Sequence, residues 1–144
     1  MPKYMLIMRS TAAAIAESKN LDVEEIINAM GAYNESLMQA GVMVGGEGLS
    51  GEPGAVVDFS TDDRIVTDGP YGETHELFNG YWILDVSSQS EAVEWAKRCP
   101  LGPGSKLEIR RVTDESDFAD FADNEYLQKE DGWRDELAKK ADKT

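Results

Sequence analysis

One cysteine, one histidine and few positive charges leave several protein classes without their chemistry. Cys99 alone cannot close an internal disulfide, so no secreted disulfide framework is encoded. Lys and Arg number 14 against 28 Asp and Glu, a net charge of −14. Sequence-independent nucleic-acid binding needs clustered positive charge to displace counterions, and docking on an anionic membrane needs it too, so neither partner is expected. No apolar run approaches the ~20 residues of a membrane span, and Met1-Pro2-Lys3 leads into a strand-like segment rather than a signal peptide. A cytoplasmic location is the expectation.

What remains is enough for one domain. The 144 residues are 41% hydrophobic and 29% charged, a balance that supports a core. Residues 3–9 read as a strand that is apolar on both faces, with Tyr4, Leu6 and Met8 on one side and Met5 and Ile7 on the other. The stretch from Ser10 to Leu21, with its short Ala run, is left open between loop and helical turn. Asp22 with Glu25 is a capping-box pattern that starts a helix at Val23. Val23, Ile26, Ile27, Met30, Tyr33, Leu37 and Met38 follow at helical spacing and predict one buried face, stopped by Gly41.

Val42-Met43-Val44 is the next strand, running into Gly45-Gly46-Glu47-Gly48. Residues 55–59 and 64–67 predict a hairpin, and 68–80 are rich in turn formers. Residues 81–86 give the strongest strand signal, again apolar on both faces. Ser88 with Glu91 caps a second helix ended by Pro100, and residues 106–112 read as an edge strand with one apolar face. The last 31 residues, 114–144, hold 11 acids and 5 bases. Phe118, Phe121, Trp133 and Leu137 give them the spacing of a helical extension, split near Gly132.

Strand, helix, strand, hairpin, strand, helix, strand is the α+β, ferredoxin-like βαββαβ unit with an inserted hairpin, spanning residues 1–113. Its first and third strands are central, and here those are the strands that are apolar on both faces. Helices cover one face. A half-solvated antiparallel sheet should alternate with polar residues, so the second face predicts a homodimer, sheet on sheet, as a dimeric α/β barrel. The alternative cover is the C-terminal extension, 114–144.

Several blocks, in order, resemble the YCII-related family and its DGPF-type branch. They include Lys3-Tyr4-Met5-Leu6-Ile7, Tyr33-Asn34-Glu35, Gly45-Gly46-Glu47-Gly48-Leu49 and Val66-Thr67-Asp68-Gly69-Pro70-Tyr71-Gly72-Glu73-Thr74. Gly80-Tyr81-Trp82-Ile83-Leu84-Asp85-Val86 and Glu91 to Ala96 continue the resemblance. It implies a ferredoxin-like dimeric barrel. For function it implies less: shorter YCII-type members are suspected enzymes with a His–Asp pair in a dimer cleft, and some members are associated with sigma-factor-like regulators. Here the first helix has no His, His75 stands where Lys is commoner, and Tyr71 replaces the Phe of the motif.

Asp68 and His75 are the catalytic candidates. An Asp in a cleft-facing loop can act as a general base, and His75 alone has an unperturbed pKa, ~6.5, close to neutrality. The competing reading of Asp68-Gly69-Pro70 is a turn. Gly69, Pro70, Glu73, Tyr81 and Arg9 complete a candidate ligand set. Arg9 can bind a substrate carboxylate, pair with Asp85 or cap the sheet. Tyr81 and Trp82 can stack a ligand or pack in core or interface. His75, Asp68, Glu73 and Glu76 lack metal-ligand spacing, so neither metal nor cofactor is expected. Gly45-Gly46-Glu47-Gly48 lacks the phosphate-loop signatures and reads as a β-bulge or strand exit. Cys99 has no His partner nearby in sequence and reads as inert. Two functions compete: a small-molecule site near the Asp68 loop, open to lyase- or isomerase-like acid–base chemistry, and a non-enzymatic dimeric module that binds a protein partner.

Overall fold

The computed structural model describes residues 1–69 and 76–142. It forms two compact units, Met1–Val112 and Thr113–Thr144. The first unit carries β1 (Lys3–Thr11), α1 (Ala12–Ser18), α2 (Val23–Gln39), β2 (Met43–Gly48), β3 (Ala55–Asp58), β4 (Ile65–Asp68), β5 (Glu76–Asp85), α3 (Gln89–Lys97) and β6 (Ser105–Arg111). Four strands form one sheet in the order β2-β5-β1-β6, with every pairing antiparallel. This is an α+β, ferredoxin-like arrangement. The strands that are apolar on both sides, β1 and β5, occupy the centre, because only a central strand has neighbours to bury both rows of side chains. β3 and β4 make a separate two-stranded sheet.

Register fixes the faces. Tyr4, Leu6 and Met8 share one side with Leu84, Trp82 and Ile109, and the helices pack there. The core is Tyr4, Leu6, Tyr33, Leu37, Val42, Trp82, Leu84, Val86 and Ala92, of which Leu6, Leu37, Leu84 and Val86 are fully buried. Met5, Ile7 and Arg9 face the other way, beside Ile83, Tyr81 and Phe78 on β5 and Arg110, Glu108 and Lys106 on β6. Ile7 is buried there between its cross-strand partners Tyr81 and Glu108, whereas Phe78 is 44% exposed.

Local chemistry sets the ends. Asp22 Oδ1 accepts from the Glu24 N–H at 2.9 Å, and Ser88 Oγ from the Glu91 N–H at 3.2 Å. Neither forms the reciprocal box expected of it: the Glu91 carboxylate instead accepts from the Ser87 N–H and hydroxyl at 2.8 and 2.6 Å. Thr11 Oγ1 accepts from the Ala14 N–H at 3.1 Å, which resolves the Ala run as α1. Gly41 ends α2 at φ +72, a left-handed conformation that a Cβ would strain.

Three expectations need correcting. Only Tyr33 and Leu37 of the α2 stripe are buried, while Val23 and Ile27 are each 62% exposed. Residues 76–80, expected as turn, begin β5. A register shift between Met8 and Arg9 passes over Asn79, so the Asn-Gly pair marks a bulge. Gly132 does not break the tail.

In the second unit, Asp114 and Asp117 close a true capping box at the start of a 3-10 helix, Glu115–Phe121. Asn124 Oδ1 then accepts from the Tyr126 and Leu127 N–H groups at 2.9 and 3.3 Å, starting α4 (Glu125–Asp142). The break therefore falls where Asn124 offers a cap, and the ~1 kcal/mol cost of Gly132 inside a helix is tolerated. Among the described residues no helix is long and apolar enough to cross a membrane.

Candidate functional site

A cavity of about 350 Å³ opens between the middle of α2 and the sheet. Met30 and Asn34 come down from α2, spaced one helical turn apart so that they share a face. Met43, Gly46, Glu47 and Gly48 from β2 form one side. Met8 of β1 and Gly80, Tyr81 and Trp82 of β5 complete the lining.

The floor is glycine because the strands leave no room for anything else. A Cβ on Gly46 would sit 2.8 Å from the Tyr81 carbonyl oxygen, and one on Gly80 would sit 2.8 Å from the Glu47 carbonyl oxygen. Both clashes are with backbone. The bulge in β2 falls between Met43 and Gly45, whereas Gly45–Gly48 pair in unbroken register with Ile83–Gly80 and end the strand.

The wall near Trp82 is fixed by hydrogen bonds. Trp82 Nε1 donates to Asn34 Oδ1 at 2.8 Å, and the Trp82 ring meets Tyr33 edge-on, 5.6 Å between centroids. The Tyr33 hydroxyl donates to the Trp95 carbonyl at 2.9 Å, tying α2 to α3. Burial pushes the Tyr33 phenol far above its ordinary range, so it stays a neutral donor. Burial also pushes the Cys99 thiol up to about 11, which keeps it protonated at neutral pH and agrees with an inert Cys99.

The sequence candidates do not gather here. Tyr81 borders the cavity, but its side chain lies with Ile7 on the other face of the sheet. Asp68 ends β4, exposed, with Gly69 donating its N–H to the Gly54 carbonyl at 2.9 Å. Pro70, Glu73 and His75 lie outside the described residues. Arg9 stands on the other face of the sheet, and its partner is not Asp85. Its Nη2 lies 2.6 Å from Glu76 Oε2 and its Nη1 2.8 Å from Glu108 Oε1, while Lys106 Nζ reaches Glu76 Oε1 at 2.7 Å. Asp85 is at the far end of β5, opposite Lys3, because antiparallel register separates the two ends of the strand. The Lys106 hydrogen bond and then the Arg9 charge hold the Glu76 carboxyl below its usual range. Among the described residues no group of three or more His, Cys, Asp and Glu could hold a metal ion.

Asn34, Met30, Met43 and Met8 escaped the sequence reading as site residues. Asn34 carried a signal, a polar residue next to Tyr33 on the predicted buried face of the helix. The methionines read as core, and nothing in their spacing distinguishes a cavity wall from a packed one.

A ferredoxin-like α+β unit with a half-lined space beneath its long helix is the class that fold and cavity define. The YCII-related domain matches residues 3–116, and the chain belongs to that family. It is also similar to an uncharacterized protein of Rhizobium meliloti (strain 1021), 37% identical over 43 residues, which are 30% of this chain and 35% of that protein. The match thus covers about a third of the relative's length.

Proposed function

We propose that the protein binds a small molecule in the cavity beneath α2 and acts as a homodimer joined through the outer faces of its sheets. The cavity carries the first part. Its volume, about 350 Å³, lies at the small end of the ~300–1,000 Å³ typical of ligand pockets, and its lining combines apolar side chains with polar groups in comparable share. The second part is supported by Met5, Ile7, Tyr81, Ile83 and Phe78, which make the outer face apolar where water alone would favour alternation. Arg9, Glu76, Glu108 and Lys106 border that patch with paired charges that a second copy can meet. Acid–base chemistry at Asp68 and His75 would be a further step, and Asp68 does not line the cavity. A second reading, docking of a protein partner, is favoured by α4, which leaves Tyr126 and Leu137 at 64% and 65% exposure.

The test is thermal shift against a metabolite library, with Met30→Trp to fill the cavity and Asp68→Asn to disarm the loop. Hits should stabilise the parent and Asp68→Asn but not Met30→Trp. Stabilisation that survives Met30→Trp and disappears in Asp68→Asn moves the site to the loop. Light scattering with Ile83→Glu tests the dimer: the parent should run at twice 15.9 kDa and the variant at that mass.

A further inference from the structure

Three of the six methionines in the sequence, Met8, Met30 and Met43, converge on the cavity. Thioethers pack favourably against aromatic ring edges, and the unbranched side chain adapts to the outline of a guest. Trp82 supplies an indole on the same wall. Gly46 and Gly80 present backbone, so a flat molecule can lie close to the strands. A cavity of about 150 Å³ is enough for benzene, so 350 Å³ holds one ring with a substituent.

The polar side of the cavity is narrower in what it accepts. An indole N–H can only donate, so Asn34 must turn Oδ1 towards Trp82, and the 2.8 Å bond fixes its amide that way. Its Nδ2 is then a donor without a hydrogen bond to a described residue. A guest must bring the acceptor. By register the Glu47 side chain lies with that of its partner Tyr81 on the outer face of the sheet, and the net charge of −14 on the chain disfavours a carboxylate.

Resting on the reading of this cavity as a ligand site, we infer that its ligand is an uncharged planar aromatic compound bearing a carbonyl. The ring lies among the methionines and the indole, and the carbonyl oxygen accepts from Asn34 Nδ2.

Four probes test this on the full chain: benzamide, benzoate, benzamidine and cyclohexanecarboxamide. The readout is the methyl NMR signals of ¹³C-labelled methionine. Benzamide should move Met8, Met30 and Met43 and leave Met1 and Met38, which are 80% and 63% exposed, in place. Benzoate, benzamidine and cyclohexanecarboxamide should need higher concentrations for the same movement. Asn34→Asp keeps an acceptor for Trp82 and removes the donor. It should weaken benzamide about fivefold, the loss of one neutral hydrogen bond, and strengthen benzamidine. If no probe moves the three signals, the cavity is not a ligand site and both readings fall. If all four move them alike, or Asn34→Asp leaves benzamide binding unchanged, the site stands and the ligand class is overturned. The parent probe series decides the ligand class even if the variant does not fold.

Discussion

Gly48 and Gly80 face each other across β2 and β5, which makes one substitution at two partnered positions a direct measurement of the space between the strands. A Cβ added at Gly80 would lie 2.8 Å from the Glu47 carbonyl oxygen and 3.2 Å from both Gly48 Cα and Met8 Cε. The Met8 methyl can swing aside, but the Glu47 oxygen belongs to a paired strand and moves only if β2 moves. A Cβ at Gly48 would meet nothing within 4 Å. Neither glycine has a left-handed backbone, since Gly41 and Gly104 are the described glycines with positive φ. Alanine therefore lowers the entropy of the unfolded chain similarly at both sites, by about 0.5–1 kcal/mol. That gain cancels in the comparison, and the difference between the variants is the overpacking cost alone, about 1–3 kcal/mol. At roughly 4 °C per kcal/mol for a domain of this size, Gly80→Ala should melt about 4–12 °C below Gly48→Ala. Urea titrations followed by far-UV circular dichroism, with equal slopes for both variants, give the free energies. Two variants that agree within about 0.5 kcal/mol would refute the claim that backbone approach dictates the glycine floor.

The ion cluster around Glu76 predicts a pH dependence. Its carboxyl is held below the ordinary value, so its contribution is complete above about pH 4.3 and is lost as pH falls through the depressed folded value. The difference in melting temperature between the parent and Glu76→Gln should be steady from pH 7 to 5 and shrink towards pH 3; a constant difference over the whole range would contradict the cluster. Cys99, with its thiol pushed up to about 11, should react with a disulfide reagent at pH 8 far more slowly in the folded protein than in urea. Equal rates would show that burial does not protect it.

Much of the fold was legible because its signals are local. Asp22 and Ser88 announce helix starts through side-chain oxygens within a few residues of the N–H groups they cap. Residues 3–9 and 81–86 carry apolar side chains at both parities, which marks central strands, and β1 and β5 do occupy the centre. Less legible was anything that depends on what lies across from a residue. Leu77 to Gly80 read as turn because Asn-Gly is a turn signal, yet pairing with β1 makes them strand and turns the anomaly into a bulge. Gly132 read as a break, although one helical glycine costs only about 1 kcal/mol and α4, started by the Asn124 cap, runs through it. The candidate site fared similarly. The Gly45–Gly48 run and Trp82 each stood out alone and Asn34 did not, and their convergence is a matter of tertiary register, which no spacing in the chain expresses.

Gly46, Gly80 and the cavity are linked by one physical constraint. β2 and β5 approach so closely that Gly46 and Gly80 cannot carry a Cβ without striking a carbonyl oxygen. Glycine at those positions leaves the sheet without the side chains that would fill the space beneath α2. The helix is anchored further along by Tyr33 and Leu37, which are 5% and 0% exposed, and by the Tyr33 bond to Trp95. Its N-terminal turns leave Val23 and Ile27 each 62% exposed despite their helical spacing. A helix with a long apolar stripe over a sheet that can receive only half of it keeps open a space that ordinary side chains on the strands would close. The void is therefore written in part into the backbone spacing of two strands.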